Sequence, residues 1–214
     1  LSNNEITDGG LRHLRGLVKL SELELRIMPI TGVGFRHLAH LKNLTSLDLS
    51  WSLHMRTHGA SHLTREGFDC LGQLKSLRTI TLRNAKVTDE DLKQLSGLPN
   101  LTELNLVATP ISSIGLKELR ALRRLRVLNL SNARLTDEGC EEIGQLDSLT
   151  ELFVYGTGFT DSGLRELRRL PNLTRLGLGN RNLSIRALQD FESLRPNVDI
   201  NPDPHTLDSF RLAY

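Results

Sequence analysis

Three histidines four residues apart, His54, His58 and His62, have the spacing in this chain that comes nearest to a metal site. On a straight helix His54 and His62 would stand about 12 Å apart, too far to share one tetrahedral zinc at ~2 Å bonds, and Gly59 weakens any helix there. The stretch reads instead as a solvated or partner-contacting loop, and no cofactor is expected. Asp48, Ser50 and His54 supply the acid, hydroxyl and imidazole of nucleophilic hydrolysis. Such a triad needs hydrogen-bond reach and an oxyanion hole, and nothing in the surrounding pattern specifies either. No phosphate-binding loop, dinucleotide fingerprint or zinc-type cysteine pattern is present. The chain reads as a binding protein, not an enzyme.

Charge says little about the partner. Lysine and arginine number 27 against 25 acidic residues. Arginines do cluster, in Arg120, Arg123, Arg124 and Arg126 and again in Arg165, Arg168 and Arg169, but Glu118, Glu141, Glu142 and Glu166 interrupt them. Binding of nucleic acid or an anionic membrane through these arginines is therefore a secondary reading. No aromatic platform for base stacking accompanies them. No apolar run approaches the roughly 18 residues of a membrane span.

The elements that must position these groups come from a repeat. Leu-x-x-Leu-x-Leu segments begin at Leu20, Leu44, Leu77, Leu101, Leu125, Leu149 and Leu173, at spacings of 24, 33, 24, 24, 24 and 24 residues. With the first leucine as position 0 and the nine-residue insertion of the repeat at Leu44 set aside, positions 0, 3, 5, 10, 15, 18 and 21 are apolar in all seven repeats, against 38% apolar residues overall, so chance is excluded. Positions 3 and 5 alternate as on a strand, whereas 15, 18 and 21 make a helical stripe. Position 11 is always Thr or Ser, from Thr7 and Thr31 to Ser184, and reads as a helix N-cap. Asp8, Asp89, Asp137 and Asp161 follow it, where negative charge suits the helix dipole. Glycine at position 14 (Gly34, Gly67, Gly115, Gly139, Gly163) costs helix propensity, so close packing is its expected role. Each unit is strand, turn, short helix, turn, and stacking buries its apolar face. Strands at ~4.8 Å and helices about 10 Å wide force the stack to curve with the sheet inside.

This pattern, clearest in residues 101–172, resembles the leucine-rich-repeat family, and its Ile/Leu-Thr-Asp-x-Gly-Leu stretch is similar to repeats of bacterial and F-box-linked members. The resemblance implies an α/β solenoid, a horseshoe with a concave parallel sheet and convex short helices, and a protein-binding role. A substrate-recognition part of a ubiquitin-ligase-like assembly is the alternative that the F-box-linked relatives suggest. Position 8, usually Asn, Cys or Thr in the family, reads Asn4, Met28, Ala85, Thr109, Ala133, Thr157 and Arg181. The turn-capping ladder should be incomplete here, or use the neighbouring Asn84, Asn132 and Asn180.

The repeat domain is expected over residues 1–200, about eight repeats with the first one partial and an insertion at 50–62, followed by a C-terminal capping tail at 201–214. Leu1 is not an initiator methionine, so further residues are expected before it. Cys140 fits a core position, and with the only other cysteine, Cys70, three repeats away, a disulfide is not expected; a reducing, cytoplasmic setting follows. Sequons at Asn43, Asn100, Asn129, Asn172 and Asn182 leave an extracellular setting open. A protein or peptide partner should sit on the concave sheet, roughly 30 Å long. Its expected contacts are Trp51, Arg83, Val107, Val127, Phe153, Tyr155 and Arg175, centred on the aromatic pair beside an arginine.

Overall fold

A computed structural model describes residues 6–51, 63–179 and 181–202. The candidate histidines His54, His58 and His62, most of the 50–62 insertion, Asn180 and the tail beyond Pro202 lie outside the described residues. The strand half of each repeat delivers Glu22–Glu24 (β1), Ser46–Asp48 (β2), Thr79–Thr81 (β3), Glu103–Asn105 (β4), Val127–Asn129 (β5), Glu151–Phe153 (β6), Arg175–Leu178 (β7) and Asp199–Pro202 (β8). They form one parallel sheet in sequence order. Its register aligns Leu23, Leu47, Ile80, Leu104, Leu128, Leu152, Leu176 and Ile200 across the stack. Asp199–Pro202 thus adds an eighth strand past the last leucine repeat.

The opposite side carries the helices: Arg65–Leu71 (α1), Asp89–Leu95 (α2), Ser113–Leu116 (α3), Asp137–Ile143 (α4), Asp161–Leu167 (α5) and Ile185–Leu194 (α6). In the first two repeats this segment tightens to 3-10 turns, Asp8–Leu14 and Val33–His37. Of the 49 apolar repeat positions all but four are buried. Leu20, Leu63 and Leu183 are half-buried, and Leu194, at the end of the last helix, is exposed. Stacking sheathes each repeat with its neighbours, so only positions beside an end or the insertion escape.

The hydroxyls at position 11 work across repeats as well as within one. The Asp8 carboxylate accepts from the Thr31 amide and hydroxyl, both at 2.8 Å, and from the Gly32 and Gly34 amides at 2.9 and 3.0 Å. Asp137 accepts from the Thr160 amide and hydroxyl, both at 2.7 Å, and from the Gly163 amide at 2.9 Å. Asp89 and Asp161 hold Ser112 and Ser184 in the same way. The acid therefore serves the helix start of the following repeat, where unpaired amides and the dipole attract it. Burial works against the charge on Asp8 and Asp137, but the hydrogen bonds outweigh it and hold both carboxyls below their usual range. Thr64, Ser112, Thr160 and Ser184 also cap their own helices as expected. Thr31 does not: Gly32, at φ +91°, stands at that cap, and Thr31 is spent on Asp8.

The close approach of successive repeats at the helix starts explains the position-14 glycines. A β-carbon on Gly34 would lie 2.5 Å from the Asp8 carbonyl oxygen, one on Gly115 2.5 Å from Asp89 Oδ1, and one on Gly67 would collide with the Thr31 carbonyl oxygen. The fourth repeat follows Arg65 instead of an acid, and there position 14 is Asp91, which is buried. Its carboxylate accepts from the Thr88 amide and hydroxyl, both at 2.9 Å, the two donors that a preceding acid would have taken.

Two further ladders run along the edge where chains climb from helix to strand. At position 23, Asn43, Asn100 and Asn172 donate Nδ2 to the carbonyls of Val18, Lys75 and Asp147 at 2.8, 2.9 and 2.7 Å. Ser76 and Ser148 donate there through hydroxyls, to Leu44 and Leu125 at 2.8 and 2.7 Å. At position 1, Thr45, Thr102, Thr150 and Thr174 donate to the carbonyls of Ser21, Arg78, Arg126 and Thr150. The sequon asparagines Asn43, Asn100 and Asn172 are thus inter-repeat staples.

Candidate protein-binding face

On the sheet face that carries no helices, side chains at positions 2 and 4 project from the strands, and position 6 lies just past each strand end. At position 4 several are already committed. Asp48, Asn105 and Asn129 accept from the amides of Ser50, Val107 and Ser131 at 2.9, 3.1 and 3.0 Å, capping the strand ends. Asn129, also a sequon residue, is therefore occupied by its own backbone.

The seven predicted contacts do not form one patch. Val107 is the clearest correction: it is 8% exposed and not part of the outward surface. Strand β4 ends at Asn105, so the alternation that put Val107 outside no longer applies two residues on. Ser131 is buried at the same level, and its hydroxyl has no hydrogen-bond partner among the described residues. Trp51 is half-buried and lines a small apolar cavity with Leu25, Met28, Leu49 and Phe68, beside the insertion. Arg83 is exposed on the next repeat and binds the Trp51 amide through its carbonyl at 2.8 Å. This pair belongs to β2 and β3, three strands from the aromatic pair on β6.

Val127, Phe153, Tyr155 and Arg175 do come together, on β5, β6 and β7. The register places Val127 opposite Glu151, and Glu151 opposite Arg175. Arg175 and Glu151 pair at 3.0 Å. Phe153 and Tyr155 stack with ring centroids 6.3 Å apart and planes inclined by 30°. Both rings lie over Gly177, where an added β-carbon would sit 2.5 Å from Phe153 and 2.7 Å from Tyr155. The Tyr155 hydroxyl donates to the Asn201 carbonyl of β8 at 3.0 Å, which pins the ring across two strands. Phe35, Phe68, Phe159 and Phe191 are all buried, so among the described residues Phe153 is the phenylalanine left half-exposed.

The opening of the sheet is charged and polar. Arg26 bridges Asp48 at 2.6 Å and Glu24 at 3.1 Å, and the Asp48 contact raises its already high pKa. Ser50 donates its hydroxyl directly to Asp48 at 2.5 Å, so that acid is shared between Arg26 and Ser50. Cys70 and Cys140 are free thiols, and burial pushes the Cys140 thiol up, as expected of a side chain packed in the core. The turn expectation is met in part: Thr109 and Thr157 donate to carbonyls of their own repeats, both at 2.7 Å, and Asn84 donates to the Trp51 carbonyl at 3.0 Å. No helix among the described residues is long and apolar enough to cross a membrane.

A family model described as a leucine-rich repeat matches residues 122–144. The chain is similar to the solved structure of internalin C2 from Listeria monocytogenes, with 26% identity over 94% of this chain and 78% of that one, at a TM-score of 0.66. It also shares its fold with a leucine-rich-repeat protein of Leptospira interrogans, at 24% identity over 89% of this chain and 50% of that one, with a TM-score of 0.57. No curated protein matches the chain. Both structures are bacterial, and both carry the solenoid derived above from the repeat.

Proposed function

We propose that this leucine-rich-repeat protein binds a protein or peptide partner on its inner sheet, without catalysis, through an anchor formed by Phe153 and Tyr155 with Val127 beside it. Leucine-rich-repeat domains generally bind proteins and are typically non-catalytic. One observation supports the finer reading: Phe153 is held half-exposed in the slot that Asp48, Asn105 and Asn129 use to cap their own strands. Its ring is braced by Tyr155 and Gly177 before any partner arrives, so little side-chain entropy remains to be lost on binding. The Arg175–Glu151 pair forms the polar rim that an interface core requires. Truncating such an anchor costs about 2 kcal/mol or more, roughly 30-fold in affinity.

The test compares partner capture by Phe153→Ala and by Arg169→Ala, the latter changing an exposed residue near the end of α5. The first should lose binding by roughly that factor and the second should not. Equal capture by both variants would reject the anchor, and loss in Arg169→Ala alone would move the interface to the helices.

A further inference from the structure

We infer that the climbing edge of the solenoid carries a second binding site, one for a compact polyphosphorylated group, built by Arg78, Arg123, Arg124 and Arg126. The four side chains line one open depression of about 620 Å³, whose floor holds Thr102 and Thr150. All four arginines are exposed. None of the depression's lining residues is acidic. Among the described residues, the ion pairs of arginines lie elsewhere, at Arg26, Arg120, Arg169 and Arg175. Arg124 spends one nitrogen on Asn100 Oδ1 at 2.9 Å, a neutral partner. The exposed Asp147 borders the adjoining hollow with Arg120 and Arg123.

The repeats supply their own control for these arginines. Position 23 carries a stapling Asn or Ser in its other copies from Asn43 to Asn172, and Arg124 replaces it. Position 1 carries a stapling Thr at Thr45, Thr102, Thr150 and Thr174, and Arg78 and Arg126 replace it. Arg78 and Arg126 give up the inter-repeat hydroxyl bond, Arg124 exchanges the bond to a backbone carbonyl for one to the Asn100 side chain, and all three replacements are guanidinium groups facing one hollow. Breaking a local rule at neighbouring points in space, with one chemistry each time, marks a functional site.

The ligand class follows from charge density and lining. Arg78 and Arg126 stand two repeats apart, about 10 Å along the stack, so several negative charges must fit within that span. Clustered phosphoryl groups do so, and guanidinium forks bind them bidentately. An acidic peptide in extended form presents one carboxylate per ~7 Å on a face, too sparse for four arginines. No aromatic or aliphatic side chain lines the depression, so neither a base stack nor an inserted acyl chain has a seat. The hydroxyls of Thr102, Thr150 and Ser148 already donate to carbonyls, which leaves recognition to the arginines.

The experiment is calorimetric titration of inositol hexakisphosphate into the wild-type chain and into Arg78→Thr/Arg124→Asn/Arg126→Thr. These substitutions restore the ladder residues, so folding should be unharmed and the thermal midpoint unchanged or raised. Wild type should bind in the micromolar range or tighter, weakening steeply with salt, and the triple variant should bind at least about 100-fold more weakly. Flotation with phosphatidylcholine vesicles, with and without phosphatidylinositol bisphosphate, separates the sources. Binding to the doped vesicles identifies a lipid headgroup, and binding to the soluble probe alone identifies a free polyphosphate. Absence of binding by wild type in both arms, equal binding by the triple variant, or equally tight binding of a glutamate-rich peptide would overturn the assignment.

Discussion

Replacing Asp137 by alanine should cost about 2 kcal/mol at neutral pH, and that cost should shrink in acid. The carboxylate accepts three hydrogen bonds from the next repeat, two from Thr160 and one from the Gly163 amide. A hydrogen bond to a charged group contributes about 1.5–3 kcal/mol where water is excluded. Asp137 is half-buried and Thr160 exposed, so water replaces part of what the variant loses. Loss of a helix cap by itself costs about 1 kcal/mol, and the extra charged contacts bring the figure to about 2. The folded-state pKa lies below the reference 3.8, because the bonds from Thr160 and Gly163 together exceed the opposing effect of burial. A depressed carboxylate stabilises fully above the unfolded pKa and loses that contribution as pH falls through the folded one. Urea unfolding of wild type and Asp137→Ala should therefore differ by about 2 kcal/mol at neutral pH, and by progressively less below about pH 4. Asp8 and Asp161 weaken in the same window, the latter held down by its Ser184 bonds, so the difference between the two proteins is the informative quantity. A gap that persists undiminished in acid would show that the carboxylate's charge is not responsible. A gap at neutral pH no larger than that of Glu141→Ala, an exposed control on α4, would show that the bridge carries no energy.

Gly67→Ala tests the close approach between repeats: helix propensity alone forecasts a gain of about 1 kcal/mol, whereas overpacking against the Thr31 carbonyl forecasts a loss of about 2. Chemical denaturation decides by sign, and a stabilised variant would refute the contact. Ser131→Ala removes a buried hydroxyl that has no partner among the described residues, so stability should hold or rise by up to about 1 kcal/mol. A fall in the thermal midpoint would show that the hydroxyl is satisfied after all.

Periodicity exposed the fold because the same seven positions meet the same neighbours in every repeat, and burial then follows from stacking alone. It nevertheless counted Leu194, which ends the last helix, among the core although that residue is exposed. It also found Thr160 and Asp137 but assigned each to its own helix, since their contact joins residues 23 apart and becomes visible only with the strand register. Val107 failed for a related reason: alternation holds only while the strand lasts, and β4 is three residues long.

What the sequence did not expose was which polar positions are structural, and that distinction separates the candidate sites from the scaffold. Asp91 breaks the repeat pattern, but its carboxylate restores the two bonds that Arg65 cannot supply. That departure is compensation, and it needs no ligand. Phe153 abandons a strand-capping position and leaves an aromatic face in the open; Arg124 abandons a stapling position and adds a charge with no acidic partner. Phe153 cannot make the capping bond of Asp48, Asn105 and Asn129, and Arg124 trades the bond to a backbone carbonyl for one to the Asn100 side chain. A solenoid whose remaining ladders hold can tolerate such losses at isolated points, because each repeat leans only on its neighbours. Departures that put an aromatic face or a charge in the open are where selection for binding, and not for stacking, leaves its trace in a repeated structure.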